Sequence, residues 1–189
     1  DIVLVDRDCH KSHHYGMVLA GAQVSYLDSY PLNEYSMYGA VPLREIKERL
    51  LELKAAGKLD RVRMLLLTNC TFDGLVYNVE RVMEECLAIK PDLIFLWDEA
   101  WFAFARFSPT YRQRTAMNAA NTLRAKFKSE AHAAAYEAQQ KTLKDADDET
   151  LLNTRLIPPP QARVRAYATQ STHKTLTSLR QGSMIHVND

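Results

Sequence analysis

Short runs of apolar residues recur along the chain, separated by stretches whose apolar positions fall at helical spacing. Four of the runs, Ile2 to Val5, Val62 to Leu67, Leu93 to Trp97 and Val164 to Ala168, are nearly continuous. Runs of that kind mark strands buried on both faces, as in a parallel sheet. Between them, Leu43, Ile46, Leu50 and Leu53 share one helical face, and so do Val79, Val82, Met83 and Cys86. Asn78 stands where it can cap the second of these helices. Pro42 stands where the first begins, and Gly57 and Pro91 lie beyond the helix ends. Strand and helix alternate, which predicts an α/β domain with right-handed crossovers.

From about residue 118 to 148 the pattern changes to Ala, Lys, Glu and Gln without a β-branched run. This predicts one or two exposed helices. LLNTRLIPPP ends them, because the prolines at 158 to 160 cannot continue a helix and favour an extended return to the next strand. Residues 118–163 read as an inserted helical excursion whose charges are solvated. There is no internal repeat.

The chain has 189 residues, with 24 Lys and Arg against 23 Asp and Glu, a formal charge of +1. Such a balance gives no long-range field to steer nucleic acid or an anionic membrane. Hydrophobic residues make up 47% of the sequence, yet no run approaches the roughly 18 residues of a spanning helix. The first residues lack the basic start of a signal peptide, so a soluble protein is expected. Cys9, Cys70 and Cys86 are odd in number and form no CxxC pair, which suggests neither a disulfide framework nor a cysteine zinc site. They fit a reducing compartment, the cytosol, with Cys70 and Cys86 as small packed hydrophobes. Opening on DIVLV and closing on IHVND, the sequence reads as a piece of a longer polypeptide.

Polar chemistry collects after each apolar run: DRDCHKS after the first, TNCTFDG after the second, DEAW after the third and TQSTHK after the fourth. In open α/β sheets ligands bind outside the carboxyl ends of the strands, so these words converge on one rim. Helix caps alone would account for some of their Ser, Thr and Asn.

Lys174 follows Ser171 and His173 in a short polar turn. A lone lysine there is ordinarily a surface residue. An amine attacks a carbonyl only after losing its proton, which burial or a neighbouring cation promotes. Pyridoxal phosphate supplies that cation if a buried carboxylate keeps its ring nitrogen protonated, and Asp98 is a candidate, with a helix N-cap as its other reading. Cys9, His10, His13 and His14 look like metal ligands, but residues on one short turn rarely supply more than two directions of a ligand set. No metal is expected. His10 could lie against an aromatic cofactor ring instead.

DRDCHKSHH, LLLTNCTFDGLVYN, WDEAWFAFARFSPTYRQRTAM and ATQSTHKTLTSLRQGSMIHV resemble the bacterial ornithine/lysine/arginine decarboxylases, pyridoxal phosphate enzymes of the aspartate aminotransferase fold type. The likeness covers most of 1–117 and 164–189, in the family's order; residues 118–163 have no counterpart in shorter members. By that resemblance residues 1–189 are part of the cofactor-binding major domain, whose glycine-rich phosphate turn precedes them and whose smaller C-terminal domain follows.

The resemblance implies roles. Lys174 would link to the cofactor aldehyde, Ser171 and His173 would bind its phosphate, and Asp98 would partner the ring nitrogen. His10 would stack on one ring face, Ala100 would pack on the other, and Trp101 would stand beside the substrate. Thr71 is a candidate for the ring hydroxyl. Lys174 or His10 would return a proton to the substrate carbon. Glu99 departs from shorter relatives, which carry a small residue or Ser there; a solvent-facing or helix-start role is expected for it. The activity implied is decarboxylation of lysine, arginine or ornithine in the cytoplasm by a homodimer or higher homo-oligomer. Transamination on the same cofactor, or a catalytically silent assembly module, stand as alternatives.

Overall fold

The two faces of the sheet are covered very differently, and that difference decides where a ligand can sit. The structure, a computed structural model, describes residues 1–189. Its elements are β1 (Ile2–Asp6), α1 (Lys11–Leu19), β2 (Gln23–Leu27), β3 (Pro31–Leu32), β4 (Met37–Tyr38), α2 (Leu43–Ala55), β5 (Val62–Thr68) and α3 (Val79–Ile89). There follow β6 (Ile94–Asp98), α4 (Ala116–Phe127), α5 (Glu130–Thr142), α6 (Asp148–Asn153), β7 (Arg165–Ser171), α7 (Thr172–Thr175) and β8 (Ser183–Asn188). Six strands form one sheet in the order β2-β1-β5-β6-β7-β8, all parallel except the antiparallel edge strand β8. β3 and β4 pair as a separate hairpin. The mostly parallel α/β sheet flanked by helices is the predicted class.

All four predicted strands and both predicted helices form. The Asn78 side chain accepts the Arg81 N–H at 3.3 Å, capping α3, and Gly57 ends the turn after α2 at φ +66°, a conformation only glycine adopts freely. Ile46 and Leu50 of α2, Val82, Met83 and Cys86 of α3, and Ala119, Ala120 and Leu123 of α4 bury one sheet face with Leu4, Leu65, Phe95 and Ala166. On the other face α1 contributes Met17 to a small cluster with Val3, Val5 and Leu66. β1 is buried along its whole length, but β7 alternates buried and half-buried positions, because helices from this chain cover only one side of it.

Two expectations need correction. The helices after residue 116 are not all exposed: α4 is a core element, its Ala116, Ala119, Ala120, Leu123 and Phe127 inside the main cluster. Alanine carries too little hydrophobic signal to reveal the stripe, yet its small side chain lets the helix approach the sheet closely. α5 and α6 do lie on the surface, with His132 the one buried residue between them. The return is clamped as well as stiff. His132 stacks on Phe127 and its Nε2 donates to the Pro158 carbonyl at 3.0 Å, while Gln139 bonds both Arg155 O and Ile157 N. The buried Lys47 ammonium reaches Glu85 and the Thr154 carbonyl, at 2.9 and 2.8 Å. Second, the edge strand β2 escaped the apolar-run reading because its pattern, QVSYL, is half polar.

Candidate active site

A cavity of about 810 Å³ opens over the carboxyl ends of β1, β5, β6 and β7, walled on one side by the β3–β4 hairpin. Strand ends far apart in sequence thus meet where the crevice rule for open sheets places a ligand. His10, Thr71, Asp98, Ala100, Trp101, Ser171 and Lys174 all line it. His173 does not: it is exposed, and its Nδ1 lies 2.9 Å from the Gly182 carbonyl, facing the turn before β8. α7 is a single helical turn, so His173 and Lys174, adjacent on it, point in different directions.

Asp98 ends β6 at the cavity floor and is 6% exposed. Its Oδ2 lies 2.7 Å from His13 Nε2, while Oδ1 accepts the Ala100 N–H at 3.0 Å and faces the Thr169 hydroxyl at 3.4 Å. Burial alone would raise its carboxyl. The hydrogen bonds from His13 and Ala100, with the charges of His13 and Lys174, outweigh that and hold it below the usual carboxylate range. Asp98 thus caps its own turn rather than a helix, and it presents a carboxylate to the cavity.

His10 is the N-cap of α1. Its Nδ1 accepts the Ser12 N–H at 3.3 Å and the Ser12 hydroxyl at 2.9 Å, which fixes the ring at the start of the helix. The ammonium of Lys174 lies over the Trp101 ring, 5.0 Å from its centroid, and Trp101 meets Phe72 edge to face. The turn after β5 passes through Cys70 at φ +74°, a left-handed conformation, and brings Thr71 and Phe72 to the cavity wall. Thr71 Oγ1 is engaged by the Leu75 N–H at 3.1 Å.

Glu99 is fully buried and faces away from the cavity. Its Oε1 accepts from Ala116 N at 2.7 Å and Asn69 Nδ2 at 3.0 Å, and its Oε2 from Gln170 Nε2 at 2.9 Å. A helix-start role is correct, at the first residue of α4, and a solvent-facing one is not. Burial pushes this carboxyl up, against those three donors.

Two floor residues were missed in the sequence. His13 lies three residues after His10, one helical turn on, so both reach the cavity from α1. Asp6 ends β1 as Asp98 ends β6; its Oδ2 accepts the Thr68 N–H at 2.9 Å and its Oδ1 is buried without a partner. Burial pushes the Asp6 carboxyl up, opposed by the Thr68 N–H and the His13 charge. The four-residue cluster does not converge: His14 lies between Cys9 Sγ and Tyr26, at 3.4 and 3.2 Å, while His10 and His13 turn to Ser12 and Asp98.

Residues 1–139 match the family described as Orn/Lys/Arg decarboxylase, major domain. Lysine decarboxylase LdcA of Pseudomonas aeruginosa is 30% identical over 195 residues, covering 100% of this chain and 20% of that protein. The biodegradative arginine decarboxylase of Escherichia coli is 29% identical over 198 residues, covering 100% of this chain and 21% of that protein. The chain thus spans about a fifth of the length of these curated relatives. Among solved structures, the SepCysS–SepCysE N-terminal domain complex is similar over 100% of this chain and 36% of that one, with TM-score 0.59 and 15% identity, a likeness of fold. No helix is long and apolar enough to cross a membrane. With a matching family model over most of its length, the chain belongs to the Orn/Lys/Arg decarboxylase family.

Proposed function

We propose that the protein containing this chain removes the carboxyl group of lysine, arginine or ornithine as carbon dioxide and leaves the corresponding amine, using pyridoxal 5'-phosphate. The cofactor is the one implied by the resemblance to the Orn/Lys/Arg decarboxylases, whose major-domain model the chain matches. The observation that carries the reading is that one cavity gathers an amine (Lys174), a carboxylate held ionised (Asp98) and a capping imidazole (His10) from three strand ends. The donor set fits the cofactor: a ring nitrogen needs a buried acceptor, an aldehyde needs an amine, and a phosphate needs hydroxyls such as that of Ser171. When bound, the group supplies an electron sink for the bond that breaks at the substrate carbon.

The chain's own residues do the rest. Asp98 would accept the ring N–H and so favour the protonated nitrogen. His10 and Ala100, both lining the cavity, would hold the ring from its two faces. Lys174 would hold the cofactor through its aldehyde, a role that requires the neutral amine. Ser171 would donate to the phosphate; His173, which faces the Gly182 carbonyl, would take that role only if α7 reorients. Trp101 and Phe72 stand at the mouth, where they flank a substrate and exclude water. Lys174 or His10 holds the proton returned to the carbon.

In the same proposal residues 1–189 are part of the major domain, with α5, α6 and the proline-rich return as an excursion on its surface. The protein works in the cytoplasm, in keeping with three free cysteines. It forms a homodimer or larger homo-oligomer, in keeping with the exposed aromatic rings of Phe72, Phe107 and Tyr35.

The test is to give the intact protein lysine, arginine and ornithine separately and to measure carbon dioxide beside keto acid. Carbon dioxide from at least one of them, with loss of the visible cofactor absorbance in Lys174→Ala, is expected. Keto acid without carbon dioxide, or borohydride-reducible absorbance retained in that variant, overturns the reading.

A further inference from the structure

His13 is the one ionisable group in contact with Asp98, and nothing in the proposed chemistry employs it. The two side chains are 11% and 8% exposed and meet at 2.7 Å across 85 residues of sequence. A carboxylate can only accept, so the proton of this bond sits on Nε2 whatever the charge of the ring. The remaining donors to Asp98, Ala100 N–H and the Thr169 hydroxyl, both approach Oδ1. Oδ2 is thus oriented by His13 alone, and it retains a free lone pair.

We propose that His13 is a positioning residue: its Nε2–H fixes Oδ2 of Asp98 so that the carboxylate meets the cofactor's ring nitrogen at a set place and angle. This rests on the cofactor reading above. Three supports from three elements, α1, the turn after β6 and β7, then hold one carboxylate, which is what a preorganised acceptor requires. The charges that bear on the pair are Asp6 at the end of β1, which itself feels Asp8 in the turn after it, and Lys174 on α7. Asp6, whose buried Oδ1 has no hydrogen-bond partner, interacts with His13 through its charge, so two buried acids bear on the imidazole.

A consequence follows for acid. Asp98 is held ionised partly by His13, so removing the imidazole moves its protonation to higher pH, and the ring nitrogen loses its acceptor sooner on acidification.

The experiment uses the intact protein, the variants His13→Leu and His13→Gln, and pyridoxal phosphate as the probe. Three quantities are read: the dissociation constant of the cofactor at neutral pH, the pH at which bound cofactor is lost on acidification, and the thermal midpoint of the cofactor-free protein. His13→Leu is expected to weaken binding about tenfold or more, the scale of one lost charge-assisted hydrogen bond, and to raise the pH of cofactor loss. His13→Gln, which keeps an N–H but no charge, should recover most of the neutral-pH affinity and not the acid midpoint. A His13→Leu protein that folds and matches the parent in affinity and acid midpoint overturns the inference alone. So does a His13→Gln protein that folds like the parent yet binds no better than His13→Leu. A parent that takes up no pyridoxal phosphate overturns the cofactor reading and this inference together.

Discussion

Asp98 and Glu99 are adjacent acids at the end of β6, and they serve opposite sides of the sheet end: Asp98 lines the cavity, while Glu99 is fully buried against Ala116, Asn69 and Gln170. Alternation along an extended chain sends neighbours to opposite faces, so one residue step separates a ligand-facing carboxylate from a structural one. Their environments separate them too. Burial pushes Glu99 up, whereas direct donors and nearby cations hold Asp98 down.

Glu99→Gln should therefore cost stability first, since Glu99 does not line the cavity and reaches its wall only through Gln170. The three groups around Glu99 are all donors, and an amide must turn its own N–H toward at least one of them. A loss of about 2–4 kcal/mol is expected, the range for breaking a buried charged hydrogen-bond set. Urea unfolding measures it, and cofactor affinity of the folded fraction should stay near the parent's.

The buried stripe of α4 makes a second prediction. Leu123 is fully buried among Ala119, Ala120 and the sheet, so Leu123→Ala should destabilise by about 2–5 kcal/mol. Lys141, exposed on α5, should tolerate alanine within about 0.5 kcal/mol. Equal costs at the two positions would show that α4 is not a core helix.

Gly182 allows the turn before β8 to touch the turn that carries Lys174. Its carbonyl accepts from Thr172 N at 3.1 Å, and an added Cβ would stand 2.0 Å from Thr172 Oγ1. Gly182→Ala should displace α7 and lower cofactor occupancy, read as visible absorbance per protein, with the thermal midpoint of the cofactor-free protein little changed. Full absorbance in that variant would argue that Lys174 is placed independently of the turn.

The three cysteines should resist alkylation in the folded protein. Burial first, then Asp6 and Asp98, pushes the Cys9 thiol up to about 12, and burial also raises Cys70 and Cys86. At pH 8 little reactive thiolate is present. Mass spectrometry after iodoacetamide should find the native chain almost unlabelled and the urea-unfolded chain labelled at all three sites. Fast native labelling at Cys70, which lines the cavity, would mean that the turn through it opens readily.

What the sequence alone determined was local: four apolar runs became four strands, Asn78 became a cap, and the polar words after each run came to one rim. Those signals are legible because burial on both faces and capping geometry act within a few residues. Lys174, Asp98, His10, Ala100, Trp101 and Ser171 share the cavity as the family resemblance implies. Tertiary structure decided the rest. That α4 is core depends on alanines, which pack closely but give no hydrophobic pattern. That His173 faces Gly182, and that Glu99 turns inward while Asp98 faces the cavity, depends on which side of a strand end or a helical turn each side chain leaves. His13 meets Asp98 only because β1 and β6 flank β5 in the sheet, a neighbourhood set by strand order and invisible to any spacing along the chain.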